Sequence, residues 1–160
     1  MENANVIYVA YCDKSDEFYI GRTCHPAERF KQHISDNQSP VHERAEMYGK
    51  NHIFFFIIKA NLSKEEAAQY EAKYIYEKYA QVKLINRSLP PSQYLTPFCK
   101  TEEQTEHFKK LAYKIEKDMT NGIGCFAEAK ARSVRGNGNY IRCGTTPYQA
   151  LKIALGEKNA

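Results

Sequence analysis

"VIYVAYCDKSDEFYIGRT", residues 6–23, decides the fold. Asn5–Cys12 alternates around Ile7, Val9 and Tyr11, Asp13–Glu17 is a polar turn, and Phe18–Thr23 returns to apolar and aromatic residues. That pattern predicts a β-hairpin. Tyr8 and Tyr19 take matching places on the two strands and are expected on one face. Gly21 and Arg22 follow at once, the glycine expected to let the chain turn closely there or to mark a bulge. Taken singly, such tyrosines are ordinary core aromatics.

Outward from the hairpin, Thr23 and Pro26 are helix-start signals. The helix that follows sets Arg29 and His33 one turn apart, beside a Phe30/Ile34 stripe that must grip the sheet. Ser39 and Pro40 read as the N-cap and first residue of a second helix, which Gly49 stops after Tyr48. "HIFFFIIKA" (residues 52–60) is apolar enough to predict a central strand. Ser63 and Glu66 have capping-box spacing at the head of a long helix reaching about Ala80. On it Ala67, Glu71, Tyr74, Ile75 and Lys78 fall on one stripe that is expected to face inward. A carboxylate in that company either reaches solvent at the stripe's edge or needs a positive partner: a lysine, an arginine or a hydrated divalent ion.

A chain of 160 residues, 42% of them hydrophobic, can bury one real core plus a small appendage. The longest apolar run, Ile53–Ile58, is far short of the roughly 20 residues a membrane span needs. The first residues lack the basic and apolar parts of a secretory signal, so a soluble, cytoplasmic protein is expected. Five widely spaced cysteines without a CxxC pair are expected to stay reduced. The net charge of +4 lies at one end: residues 125–160 hold six Lys/Arg against two Asp/Glu, while the remainder balances. A polyanion contact at that end is consistent with this distribution, as is an ordinary solvated surface.

Six elements in order resemble the signature of the GIY-YIG nuclease family. They are "VIY" (Val6, Ile7, Tyr8), "YIG" (Tyr19, Ile20, Gly21), Arg29 in "ERFKQH", His33 four residues on, Glu71 in "YEAKYI" and Asn86 in "LIN". The likeness covers Asn5–Ser88. Val6 departs from the family's usual glycine, at a strand position that leaves the chemistry untouched. The resemblance implies an α/β fold over residues 1–90, a small three-stranded antiparallel sheet flanked by helices. It also implies hydrolysis of a phosphodiester in DNA, double-stranded, with one Mg²⁺ for which Mn²⁺ can substitute. Tyr8, Tyr19, Arg29, His33 and Glu71 would carry the reaction, with Glu71 the metal ligand and Gly21, Arg22 and Asn86 in support. Small homing-type, phage-like members are the fair comparison, in a bacterial or phage-infected cell, with room for a homodimer on DNA.

The chemistry of each part can be stated. Hydrolysis needs a base for water, a cation on the scissile oxygens, and stabilisation of the charge that develops. The resemblance makes Tyr8 the base. A phenol with a pKa near ~10 is a poor base at neutral pH, so positive charge from Arg22, Arg29 and the metal is expected to favour the phenolate. His33 could instead accept the proton or orient the Tyr8 hydroxyl. Arg29, a permanent planar cation, suits a phosphate. Glu71 is a hard oxygen ligand that waters and phosphate oxygens would complete. The reading from another class is a catalytically silent nucleic-acid-binding protein that keeps the fold; the presence of both Glu71 and Arg29 favours the enzyme.

Residues 91–160 read as a C-terminal extension, helical and then β-ribbon and helix. "LPPSQYLTPF" (residues 89–98) predicts an extended linker or wrap. Thr101 caps a helix with a Phe108, Leu111, Ile115 and Met119 stripe. A hairpin around Gly136-Asn137-Gly138, a strand Tyr140–Cys143, and a helix capped by Thr145 or Thr146 follow. Arg132, Arg135 and Arg142 lie on the hairpin part, where they could enter a DNA groove as β-ribbon readers do. Packing or dimerisation is the other use of such a unit.

Overall fold

The opening stretch forms its hairpin. In the computed structural model, which describes residues 4–129, 134–136 and 139–157 (backbone alone at 135, 136, 139 and 140), β1 (Asn5–Cys12) and β2 (Glu17–Thr23) run antiparallel. Tyr8 stands opposite Gly21 and Ala10 opposite Tyr19, so both tyrosines share a face. Asp16 adopts the left-handed conformation (φ 54°), which a short polar side chain tolerates, and accepts the Tyr11 hydroxyl at 2.8 Å. Val6 is buried, so the side chain at this unusual position fills core.

Two further strands correct the expected three-stranded antiparallel sheet. β3 (Ile53–Leu62) pairs antiparallel with β1, and a two-residue β4 (Lys83–Leu84) pairs parallel with β2, giving the mixed order β3-β1-β2-β4. A strand of two residues has no periodicity to read. β3 is therefore an edge strand, not a central one, and Phe54, Phe56, Ile57 and Ile58 are each 41–52% exposed. Hydropathy reports what a strand could bury, not whether a second neighbour exists for it.

The chain divides into two compact units, Met1–Glu71 with Gln81–Asn86 and Ala72–Ala80 with Arg87–Ala160. In the first, Ala10, Cys12 and Ile53 pack with Val41, Ala45 and Ile85, and Tyr19, Ile34 and Phe55 close over them. α1 (Pro26–Ser35) begins at Pro26 with His25 as its N-cap; Thr23 instead accepts the His25 N–H through its hydroxyl at 3.0 Å. α2 (Pro40–Tyr48) starts at the Ser39 cap and stops at Gly49, whose φ of 102° a Cβ would strain. Buried Glu17 ties β2 to α2 through Arg44, in two bonds of 2.9 and 3.1 Å, with Lys83 of β4 at 3.3 Å. The Arg44 bonds hold its carboxyl down at about 2, against the opposing effect of burial.

α3 (Lys64–Tyr79) opens with the Ser63/Glu66 capping box and runs through the division between the units. Its buried positions are Ala67, Ala68, Ala72, Ile75 and Tyr76. The buried stripe is thus rotated from the expected one: Glu71 and Tyr74 flank it and Lys78 is exposed. The helical period was right and its phase was displaced by one residue, because alanines alone do not mark which side packs.

In the second unit the proline-rich segment is no linker. Ser92–Phe98 forms a 3₁₀ turn that buries Ser92, Gln93 and Leu95, and Ser92 donates to the Pro147 carbonyl at 2.6 Å. α4 (Glu102–Thr120) carries a full capping box from Thr101 and Gln104, and buries Phe108, Ala112, Ile115 and Asp118. β5 (Val134–Gly136) and β6 (Asn139–Ile141) form the hairpin, and α5 (Pro147–Ala154) is capped by Thr146. The backbone of Arg135 lies on β5 opposite Tyr140, and Arg142 is exposed just past β6. Arg132 lies outside the described residues. All five cysteines are free thiols, and among the described residues no helix is long and apolar enough to cross a membrane.

Candidate active site

The face of the hairpin that carries Tyr8 and Tyr19 meets α1, and their side chains converge there. The two phenol rings stand 6.3 Å apart between centroids, and the His33 imidazole lies edge-on to both, 5.6 Å from Tyr8 and 4.8 Å from Tyr19. Phe30 packs edge-on against Tyr8 at 5.3 Å and stacks on Phe55 at 4.4 Å, so the α1 stripe that anchors the helix also sets the height of Arg29 and His33. Helical spacing brings those two residues to the same hydroxyl. Arg29 Nε–H donates to the Tyr8 oxygen at 3.3 Å, and that oxygen lies 2.6 Å from His33 Nε2.

The proton positions follow from the bonding roles. Tyr8 is fully buried, and burial raises its phenol well above the ordinary value; the neighbouring Tyr19 adds to this, while the hydrogen bond and charge of Arg29 oppose it. With Arg29 as the cation acting on it, desolvation wins and the phenol stays protonated. A neutral Tyr8 must donate its proton, and Arg29 cannot accept one. The His33 Nε2 lone pair takes it. Nδ1 then carries the ring proton and donates to Ser39 Oγ at 2.8 Å, which also accepts the Val41 N–H at 3.1 Å as the cap of α2. Burial, aided by the Arg29 charge, pushes His33 down to about 4, so the imidazole is neutral at pH 7. Burial likewise raises Tyr19, with Arg29 opposing.

Gly21 sits neither at a turn nor at a bulge. It is a mid-strand residue in unbroken register, and a Cβ there would lie 2.5 Å from the Tyr8 oxygen and 2.6 Å from Cζ. The glycine leaves the space in which the phenol head lies. Gly21→Ala should therefore displace Tyr8, lowering stability by about 1–3 kcal/mol, as overpacking does. Chemical denaturation checks this; an unchanged midpoint would mean that the ring has somewhere else to go.

Glu71 stands at the margin of the same cluster. Its side chain is 20% exposed, and Arg22 Nε approaches its carboxylate at 3.5 Å. Burial pushes the acid up to about 7, with the charges of Arg22 and Arg29 pulling the other way. A largely buried carboxylate held by a backbone hydrogen bond from Arg22 and a long ion pair to the same residue is short of positive charge. Among the described residues no three His, Cys, Asp or Glu cluster as a metal cage, so an ion on Glu71 would take one protein oxygen and fill its shell with water and phosphate oxygens. That donor set fits Mg²⁺ or Mn²⁺.

Asn86 extends the short β4 by its side chain. Its amide donates to the Ile20 carbonyl at 2.7 Å and accepts the Ile20 N–H at 3.0 Å, which fixes β2 between Tyr19 and Gly21. His42 turns away from the cluster: it donates to the Ile34 carbonyl and lies 3.7 Å from Glu46. Ser39 is the member that sequence reading missed. Its cap role is legible from Ser39-Pro40, but nothing nearby in the chain signals the second bond, to His33.

The family model of the GIY-YIG catalytic domain matches residues 4–85, half of the chain and all but Asn86 of the cluster. The chain belongs to the GIY-YIG family. Comparison with curated proteins and with solved structures gives no significant match. GIY-YIG domains are nucleases that act on DNA, and a nuclease-type hydrolase is what this α/β domain is.

Proposed function

We propose that the chain is a divalent-metal-dependent DNA endonuclease, with residues 1–90 hydrolysing the phosphodiester and residues 91–160 aiding binding to duplex DNA. The hydrogen-bonded line Arg29–Tyr8–His33, beside a desolvated Glu71, carries this reading. Glu71 would hold the Mg²⁺ or Mn²⁺, which when bound supplies Lewis-acid stabilisation of the phosphoryl and leaving oxygens. Arg22 favours the charged carboxylate against the effect of burial.

Arg29 is half-buried over the Tyr8 oxygen. Drawing its guanidinium toward the scissile phosphate neutralises charge there and opens that oxygen to a water. As the water attacks phosphorus it gives a proton to Tyr8, and the Tyr8 proton passes to His33 Nε2. The phenol is neutral before and after, and the positive charge ends on the imidazole. No free phenolate is required; the proton's acceptor is the imidazole. As the bond to water forms, the bond from phosphorus to the leaving oxygen breaks, and the weakly basic imidazole, at about 4, returns its proton through Tyr8 to that oxygen or to solvent, which resets the pair. Tyr19 borders the water from the other side. Arg132, Arg135 and Arg142 are the proposed phosphate contacts of the extension.

The test is nicking of supercoiled plasmid with Mg²⁺, with Mn²⁺ and with EDTA. The expected result is conversion to open circle in either metal and none in EDTA. A folded protein that shifts plasmid on a gel in all three and cuts in none would be the silent binding protein instead.

A further inference from the structure

We infer that Ser39 is a positioning residue of the reaction: it fixes His33 in the Nδ1–H tautomer that leaves Nε2 free for the Tyr8 proton. This rests on the nuclease reading above. His33 is 2% exposed and Ser39 8%, so the bond between them lies largely out of water. Ser39 Oγ accepts twice, from His33 Nδ1 at 2.8 Å and from Val41 N at 3.1 Å. A hydroxyl oxygen has two lone pairs, and both are used. The reverse arrangement, with Ser39 donating to Nδ1 and Nε2–H donating to Tyr8, would give the Tyr8 oxygen two donors and leave its own buried proton without an acceptor. The arrangement with Tyr8 donating leaves the spare hydroxyl proton on Ser39, 8% exposed, rather than on Tyr8 at 0%, and so places it where water is nearer.

The bond also joins two elements. Ser39 precedes the first residue of α2, and His33 lies in the last turn of α1, so a single hydroxyl ties the imidazole to the start of the next helix. The imidazole plane is thereby referenced to backbone rather than to a mobile side chain. When His33 becomes charged, the same oxygen receives the strengthened Nδ1–H bond. The titratable and charged groups around His33 are Tyr8, Tyr19, Arg29 and Asp36. Nδ1 bonds Ser39 Oγ, while Asp36 accepts the Gln38 N–H.

Two variants separate positioning from helix capping. Glycine is a tolerable N-cap, so Ser39→Gly keeps α2 while removing the acceptor for Nδ1. Ser39→Thr keeps both bonds. The readout is long-range ¹H–¹⁵N correlation of His33 in the full chain at pH 7, with single-turnover nicking and DNA affinity measured beside it. Wild type and Ser39→Thr should show a protonated Nδ1 and a bare Nε2. Ser39→Gly should show mixed or exchanging tautomers and nick about 10- to 100-fold more slowly with unchanged DNA affinity. An unaltered tautomer in Ser39→Gly, or an altered tautomer with the wild-type rate, overturns the inference. A tautomer lost in Ser39→Gly while wild type cuts no DNA retains the anchor and overturns the nuclease reading.

Discussion

Tyr8→Phe should lower single-turnover nicking by about 10²–10⁴-fold, the range a general acid–base group supplies. The substitution keeps the ring that packs on Phe30 and removes only the oxygen through which Arg29 and His33 communicate. Were Tyr8 an ordinary core aromatic, phenylalanine would be nearly silent. Here it leaves His33 Nε2 buried without a donor, which costs about 1–3 kcal/mol. Loss of activity should thus come with a measurable drop in the denaturation midpoint. DNA affinity should hold, since Arg29 is then released to phosphate. A variant that nicks at the wild-type rate would remove Tyr8 from the chemistry and leave His33 alone as acceptor.

What could be read in the sequence was what repeats or recurs locally. The hairpin, the two helices after it and the capping boxes follow from alternation and from single residues with one strong preference, such as Ser39, Gly49 and Ser63. The cluster was legible as a spacing, because Arg29 and His33 share a helix face and Tyr8 and Tyr19 share a strand face. What the spacing could not give is partnership across the chain. The Asn86 amide on Ile20 spans 66 residues, and the collision that reserves position 21 for glycine needs the Tyr8 ring to be in place first. β4 is set by its pairing with β2, and β3 lies at an edge because, among the described residues, β1 alone pairs with it. The direction of the Tyr8 shift needed burial, which composition does not report. The Ser92–Phe98 turn, proline-rich and yet buried at three positions, went unread for the same reason.

Glu71→Gln should abolish metal-dependent nicking, by about 10³-fold or more, and stabilise the fold at alkaline pH. Both effects come from the carboxylate's charge. Its acid is raised from 4.5 to about 7, so in that window the folded chain holds a proton that the unfolded chain releases. Stability then declines as pH rises through the window, and above it the buried charge costs about 3 kcal/mol. Glutamine has nothing to ionise, so the variant should melt above wild type at pH 8 and close to it at pH 5. Divalent metal should narrow the gap in wild type only. The site is thus expected to be held less stable than it could be for the sake of its chemistry.

The most direct measurement is Mg²⁺-dependent nicking of supercoiled plasmid by wild type and Glu71→Gln side by side at pH 8. Nicking confined to wild type is the predicted result. Nicking by Glu71→Gln at the wild-type rate would contradict a reaction that rests on this one carboxylate.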